Sequence, residues 1–321
     1  MSILIYAEYA EGKFKKVAFE LASYAKKVAE TLGTTVTAVT VNAGDVSELA
    51  RYGVDKVLKV NNDKLSGFTA KAYADVIKQA AVKENVKLVL LSSTTDSVYL
   101  SSLVAVGLEA GYASNVVGLP ISTTPFLVKR NAFSNKAFNT TEIETEIKVL
   151  GLAKNSYGIF ETPSTLTEED FNPTIGENDF GVKVESVEKG SGKVSIADAD
   201  IVVSAGRGLK GPENWKMVED LASVIGAATA CSKPVSDLGW RPHGEHVGQT
   251  GKPVATNLYI AIGISGAIQH IAGVNSSKVK VVINSDPEAP FFKVADYGIV
   301  GDAFEIIPQL IEKFKAFKAQ N

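Results

Sequence analysis

The chain has 321 residues, with 33 Lys and Arg against 36 Asp and Glu, for a net charge of −3. The absence of a basic stripe leaves no footprint for nucleic acid, the lone Cys231 excludes an internal disulfide, and no apolar run is long enough to insert across a membrane. An apolar fraction of 45% beside 21% charge is ordinary for a soluble globular protein, and the length favours two domains over one. The N-terminus, MSILIYAEYAEGK, has neither the basic head and cleavage site of a signal peptide nor the arginines of a transit peptide. A cytoplasmic location is expected.

Residues 3–8 (ILIYAE), 35–41 (TVTAVTV), 56–60 (KVLKV) and 87–93 (KLVLLSS) read as strands. Between them, 15–32 places Val17, Leu21, Tyr24, Ala25, Val28 and Leu32 at helical spacing, and 68–83 and 97–110 are further helical patterns. Such alternation predicts an α/β fold with a parallel sheet covered on both faces. Residues 125–161 change character, and β-type alternation around 142–149 predicts an antiparallel extension. Residues 162–197 mix Pro, Gly and acids, and KGSGK at 189–193 is flexible punctuation. The boundary is expected near Lys189, giving an N-terminal α/β domain of a nucleotide-binding-like fold over 1–189 and a second α/β domain over 190–321.

The second alternation has strands at 200–206, 227–232, 257–263, 279–284 and 297–301, and a helix at 212–224 with Pro212 near its first turn. Residues 302–318 read as an amphipathic helix with Ile306, Ile307, Leu310, Ile311, Phe314 and Phe317 on one face. This half is expected to be a doubly wound parallel sheet, with ligands at the carboxyl ends of its strands.

Four segments carry chemistry. In SAGRGLKGPENW, Gly206, Gly208 and Gly211 give a G-x-G-x-x-G spacing between a strand and a helix, and Arg207 adds a cation. This is the context of a phosphate-cradling turn, and equally of a tight strand–helix turn. A nicotinamide site wants a ribose-gripping acid roughly 20 residues on. Cys231, Ser232 and Lys233 stand there, with no carboxylate, which weakens the alternative of a nicotinamide-dependent oxidoreductase built on GRGLKG. In EHVGQTGKPV, Gly248, Gln249, Thr250 and Gly251 offer either a backbone nest with a hydroxyl and an amide or a polar turn. His243 and His246 lie there without a third metal ligand at a suitable spacing, and read as surface histidines.

The third segment is LYIAIGISGAIQHIAG, 258–273. Gly263-Ile264-Ser265-Gly266 follows a strand and opens a helix, and His270 lies one turn on, on the face of that N-terminus. It is either a core histidine satisfied by a carbonyl or a donor to a negatively charged ligand. In the fourth segment Asn284 ends a strand, 286–290 (DPEAP) is a rigid turn, and Asp302 ends the next strand and caps the final helix.

These pieces in this order resemble the alpha subunit of electron transfer flavoproteins. The likeness rests on LYIAIGISGAIQHIAG followed by VVIN, on GRGLK and VGQTGK upstream, and on DPEAP and VADYGIVGD downstream. It is specific over about 195–321 and looser over 1–160, where ILIYAE and the α/β order fit. One departure is Ser232-Lys233, where the family usually carries Ser-Arg. The resemblance implies a heterodimer with a beta subunit, and FAD held in the C-terminal domain with its flavin facing the partner. It implies an electron carrier with no substrate of its own. Its donors would be flavin dehydrogenases, such as the acyl-CoA dehydrogenases of fatty acid beta-oxidation, and its acceptor a membrane quinone oxidoreductase.

By the same resemblance, Arg207 and Ser232 serve the phosphate and ribityl region, and Lys233 takes the place of the arginine beside the flavin. Val247, Gly248, Gln249 and Thr250 line the ring, with the Thr250 hydroxyl toward N5. Ser265, Gly266, Ala267, Ile268, Gln269 and His270 hold the cofactor, His270 reaching the C2 carbonyl. Asn284, Asp302 and Ala303 hold the adenosine end. No metal is implied. A flavin that gains an electron without a proton carries negative charge over N1 and O2, which a histidine beside a helix N-terminus would stabilise in a dry site.

Overall fold

The structure, a computed structural model, describes residues 2–133, 135–182, 184–186, 196 and 199–320. Two compact units make up the chain: Met1–Phe133 with Ala137–Glu188, and Lys189–Asn321 with Ser134–Lys136. The boundary expected at Lys189 lies outside the described residues.

The first unit is a mixed sheet with helices. Its main strands are β1 (Ser2–Tyr6), β2 (Thr35–Val41), β3 (Lys56–Val60), β4 (Leu88–Ser92), β5 (Gly111–Val116), β6 (Phe126–Ala132), β7 (Ala137–Glu142), β8 (Lys148–Leu152) and β9 (Thr167–Asp170). They lie in the order β7-β6-β5-β8-β4-β1-β2-β3-β9. Helices α1 (Lys16–Leu32), α2 (Ala70–Lys83) and α3 (Thr95–Gly107) make the crossovers. The apolar stripe of α1 is buried from Val17 to Val28, but Leu32, in its last turn, is 43% exposed. The helix stops there because Gly33 adopts the left-handed conformation.

Only part of the antiparallel extension forms. β6 and β7 pair antiparallel, but β8 enters the parallel ladder between β4 and β5. Its run VLGL is buried throughout, which suits an interior parallel strand. The acid-rich stretch after 162 also contributes a strand, β9, at the edge beside β3. Lysines hold its acids in register: Lys59 reaches Glu168 at 3.1 Å, and Lys56 and Lys83 each reach Glu169 at 2.7 Å.

Just past β1, Glu8 is buried. It accepts from Thr94 and Ser97 at 2.8 Å, from Lys15 at 2.9 Å, and from Ser92. Burial alone would raise its pKa, but Lys15 and the hydroxyl donors hold it below the usual carboxylate value. The chain's own carboxylate thus fills the start of α3 in this unit.

The second unit is a parallel sheet of β10 (Ile201–Ala205), β11 (Ala228–Cys231), β12 (Leu258–Ile262), β13 (Val279–Asn284) and β14 (Tyr297–Val300), ordered β11-β10-β12-β13-β14. Helices α4 (Lys216–Ile225), α5 (Lys233–Asp237), α6 (Ile268–Val274) and α7 (Ala303–Gln320) connect and close it. The helix expected from Pro212 begins as a 3-10 turn, Pro212–Trp215, and becomes α-helical at Lys216. In α7, Ile307 is buried and Ile306, Leu310, Ile311 and Phe314 pack on the core. Phe317, grouped with them by spacing, is 64% exposed because the helix outruns the sheet it covers. The strand order reverses between β10 and β12, and a crevice at such a switch point is where α/β sheets take ligands.

Candidate functional site

A cavity of about 580 Å³ opens at the carboxyl ends of β10 to β13. Small-molecule sites commonly occupy roughly 300–1,000 Å³. The loop after β10 supplies Gly206, Arg207 and Gly208; Ser232 and α5 supply Lys233, Pro234 and Asp237. The long connection into β12 adds His246, Val247, Gly248, Gln249 and Thr250. Gly263, Ile264, Ser265, Ala267, Gln269 and His270 follow β12, and Asn284 and Asp286 follow β13.

Gly206 and Gly208 of the G-x-G-x-x-G run are needed for packing within the protein. A Cβ on Gly206 would stand 2.3 Å from the Gly263 carbonyl oxygen, and one on Gly208 would stand 2.6 Å from Gly263 Cα. The Gly208 N–H donates to that carbonyl at 3.2 Å. The loops after β10 and β12 therefore meet backbone to backbone, a closeness only glycine permits. The VGQTG loop is clamped in the same way. Val247 N–H donates to the Cys231 carbonyl at 3.0 Å, and Gln249 N–H donates to the Gln269 carbonyl at 2.8 Å.

His246 is not a surface residue. It is 2% exposed, because the loop folds back on it: Lys252 N–H donates to its carbonyl at 2.8 Å and Gly251 lies against its imidazole. Its Nδ1 has no partner. His243 is exposed, with Nδ1 at 3.3 Å from Ser236 Oγ. Among the described residues no group of three His, Cys, Asp or Glu could hold a metal.

Helix α6 begins at Ile268, not at Gly266, which forms a turn with φ 90° against the Phe291 backbone. His270 lies in its first turn and is buried. Its Nε2 is 2.9 Å from the Tyr259 hydroxyl, and its Nδ1 makes no hydrogen bond of good geometry. Burial, then the neighbouring His246, push its pKa down to about 4, against the Val247 backbone, which raises it. His270 is therefore neutral near pH 7. Burial also keeps Tyr259 a neutral phenol. Tyr259 escaped sequence reasoning; its one signal is a polar tip in the apolar strand LYIAI.

Lys233 opens α5 and reaches both carboxylate oxygens of Asp237 at 3.1 Å. The i,i+4 spacing was the available signal for Asp237. Positions 231–233 carry no acid, and the acid one turn on is tied to the lysine. Asn284 Nδ2 donates to the Ile264 carbonyl at 3.1 Å, fixing the loop after β12.

Four of the expected site residues do not line the cavity: Gly266, Ile268, Asp302 and Ala303. Ile268 is 64% exposed, and Ala303 is buried at the start of α7. Asp302 caps α7, accepting from Phe304 N–H at 2.9 Å, and its carboxylate is 3.7 Å from Lys210 Nζ.

Residues 3–172 match the electron transfer flavoprotein domain, and residues 195–275 match the electron transfer flavoprotein FAD-binding domain. The chain belongs to the electron transfer flavoprotein family. It is 36% identical to an electron transfer flavoprotein subunit alpha of Thermoanaerobacterium thermosaccharolyticum, over 98% of each chain. It is 34% identical to that subunit of Bacillus subtilis, over 98% of this chain and 97% of the relative. A third relative, from Acetobacterium woodii, is named lactate dehydrogenase (NAD(+),ferredoxin) subunit LctC; it is 31% identical, over 96% of this chain and 76% of its own length.

The cofactor of this electron transfer flavoprotein domain is FAD. The cavity suits such a group. Two buried imidazole nitrogens lack partners, Arg207 and Lys233 supply positive charge, and Val247 and Ile264 supply apolar wall. No helix of the described residues is long and apolar enough to cross a membrane.

Proposed function

We propose that this chain is the FAD-holding alpha subunit of a cytoplasmic electron carrier, paired with a beta subunit. It passes electrons from flavin dehydrogenases, among them the acyl-CoA dehydrogenases of fatty acid beta-oxidation, to a membrane quinone oxidoreductase. It turns over no substrate of its own. The observation that carries this reading is the buried, neutral His270 at the switch-point cavity, with one nitrogen on Tyr259 and the other unpartnered.

FAD, when bound, supplies the redox chemistry. The protein binds, orients and excludes water. Arg207 and Ser232 take the phosphate and ribityl region, while Val247, Gly248, Gln249 and Thr250 wall the ring, the Thr250 hydroxyl serving its N5 edge. Ser265, Ala267, Gln269 and His270 hold its other edge, with His270 donating from Nδ1. Tyr259 keeps the imidazole ring oriented. Asn284 shapes the loop after β12, and Asp302 and Ala303 are assigned to the adenosine end on the resemblance alone. The relative named for lactate, NAD(+) and ferredoxin supports a second reading, in which a dedicated dehydrogenase docks on the carrier.

The test is co-expression with the beta subunit. The complex should purify yellow, accept electrons from a reduced acyl-CoA dehydrogenase and pass them to a quinone oxidoreductase. Reduction by a lactate dehydrogenase alone would select the second reading, and a colourless complex would refute both.

A further inference from the structure

Two of the chain's three histidines, His246 and His270, line this cavity, and the third, His243, lies beside His246. His243 is exposed, and its ring centroid is 5.5 Å from that of the buried His246. Gly248 lies between His246 and His270: its Cβ position is 3.3 Å from His246 Nε2 and 3.8 Å from His270 Cα. His246 and His270 both line the cavity, and each leaves Nδ1 unpartnered. A buried donor or acceptor without a partner is costly and calls for a ligand. His270 already uses its other nitrogen on Tyr259, whereas His246 faces a solvent-exposed imidazole.

We propose that His246 is a proton-holding residue of the cavity, taking up one proton from solvent by way of His243 when the bound FAD gains negative charge. This rests on the reading of the cavity as the FAD site. In the step, one electron passes from the donor protein to the flavin and one proton passes from water to an imidazole nitrogen of His246. No bond of the cofactor need form or break.

The surroundings keep His246 neutral until that charge arrives. Burial lowers its pKa, with His243 and Lys233 adding to the effect and Asp237 opposing it. The carboxylates nearest it are each paired. On its own loop, Glu245 is bound to Arg241 at 2.6 Å. On α5, Asp237 is bound to Lys233 at 3.1 Å. On α6, His270 is neutral, and on β11 the Cys231 thiol is pushed up to about 12 by burial. An anion within about 4–6 Å raises a neighbouring pKa by roughly 1–3 units, enough to move a depressed histidine across neutral pH.

The test uses the FAD-loaded heterodimer. The first one-electron potential is measured from pH 6 to 9 for wild type, His246→Gln and His243→Gln, and imidazole NMR signals are followed before and after reduction. We expect the wild-type reduction equilibrium to change by up to tenfold per pH unit, about 59 mV, with the His246 signal moving to its protonated position. His246→Gln should flatten the slope; His243→Gln should keep it while slowing proton uptake seen by an indicator dye. A His246 signal unmoved by reduction, or the same slope in wild type and His246→Gln, overturns the proposal. The NMR arm stands even if His246→Gln fails to fold. A wild-type complex without bound FAD would instead sink the cofactor reading itself.

Discussion

Gly208→Ala separates packing from ligand binding in the loop after β10. The new methyl would stand 2.6 Å from Gly263 Cα and 3.0 Å from its carbonyl oxygen, and neither atom is a flexible tip. Gly263 cannot easily retreat, since its φ is 59° and its N–H donates to the Ile283 carbonyl at 2.8 Å. Overpacking of this kind costs about 1–3 kcal/mol. Losing the Gly208–Gly263 hydrogen bond adds roughly 0.5–1.5 kcal/mol. A total of about 2–4 kcal/mol follows, and with a urea slope of about 1–3 kcal/mol/M the midpoint should fall by on the order of 1 M. Trp215 and Trp240 are the only tryptophans and both lie in the second unit, so their fluorescence reports its unfolding in FAD-free protein. Gly211→Ala is the control, because the atoms nearest its methyl all belong to the movable Glu213 carboxylate. If Gly208→Ala unfolds like wild type without FAD yet fails to bind FAD, the glycine serves the ligand and the packing argument is wrong.

Two further outcomes follow from the site. His270 has a folded pKa of about 4 against 6.5 for a free histidine. The unfolded chain therefore takes the proton first, and stability present above pH 6.5 is lost as pH falls toward 4, by up to roughly 3 kcal/mol. Urea midpoints at several pH values should show this loss in wild type and a shallower one in His270→Gln. Lys233→Ala should lower the first reduction potential, by leaving the Asp237 carboxylate uncompensated at the cavity wall; Asp237→Asn should raise it by freeing the lysine. Both side chains are more than half exposed, so shifts of tens of mV are expected. Dye-equilibrated titration giving equal potentials for all three proteins would show that neither charge is felt at the flavin.

The strands at 35–41, 56–60 and 279–284 are legible because valine and other β-branched or apolar residues dominate each, as parallel strands covered on both faces require. β5, GYASNV, has no such density and holds its place only through β8 and β6. β9 is a row of acids whose lysine partner on β3 lies 109 residues away, a pairing that local pattern cannot carry. In the site, the loops bearing Arg207, Gly248 and Ser265 were visible as glycine punctuation after strands. His246 was misread because its segment is mostly polar. Its burial comes from a long-range bridge to Cys231 and from Gly251 against its ring. Tyr259 was missed for a related reason: it meets His270 across a strand and a helix start, and no spacing rule links them.

The central claim is that FAD lies in the cavity at the ends of β10 to β13. Ala267 lines that cavity, is exposed and sits just before α6, so a large side chain there should enter the cavity without disturbing the core. FAD content per heterodimer, read from the visible spectrum of wild type and Ala267→Trp, tests it directly. The account predicts one FAD in this subunit's site for wild type and loss of that FAD in Ala267→Trp, with unchanged unfolding of the FAD-free chain. Equal FAD content and equal affinity in the two proteins would place the cofactor elsewhere.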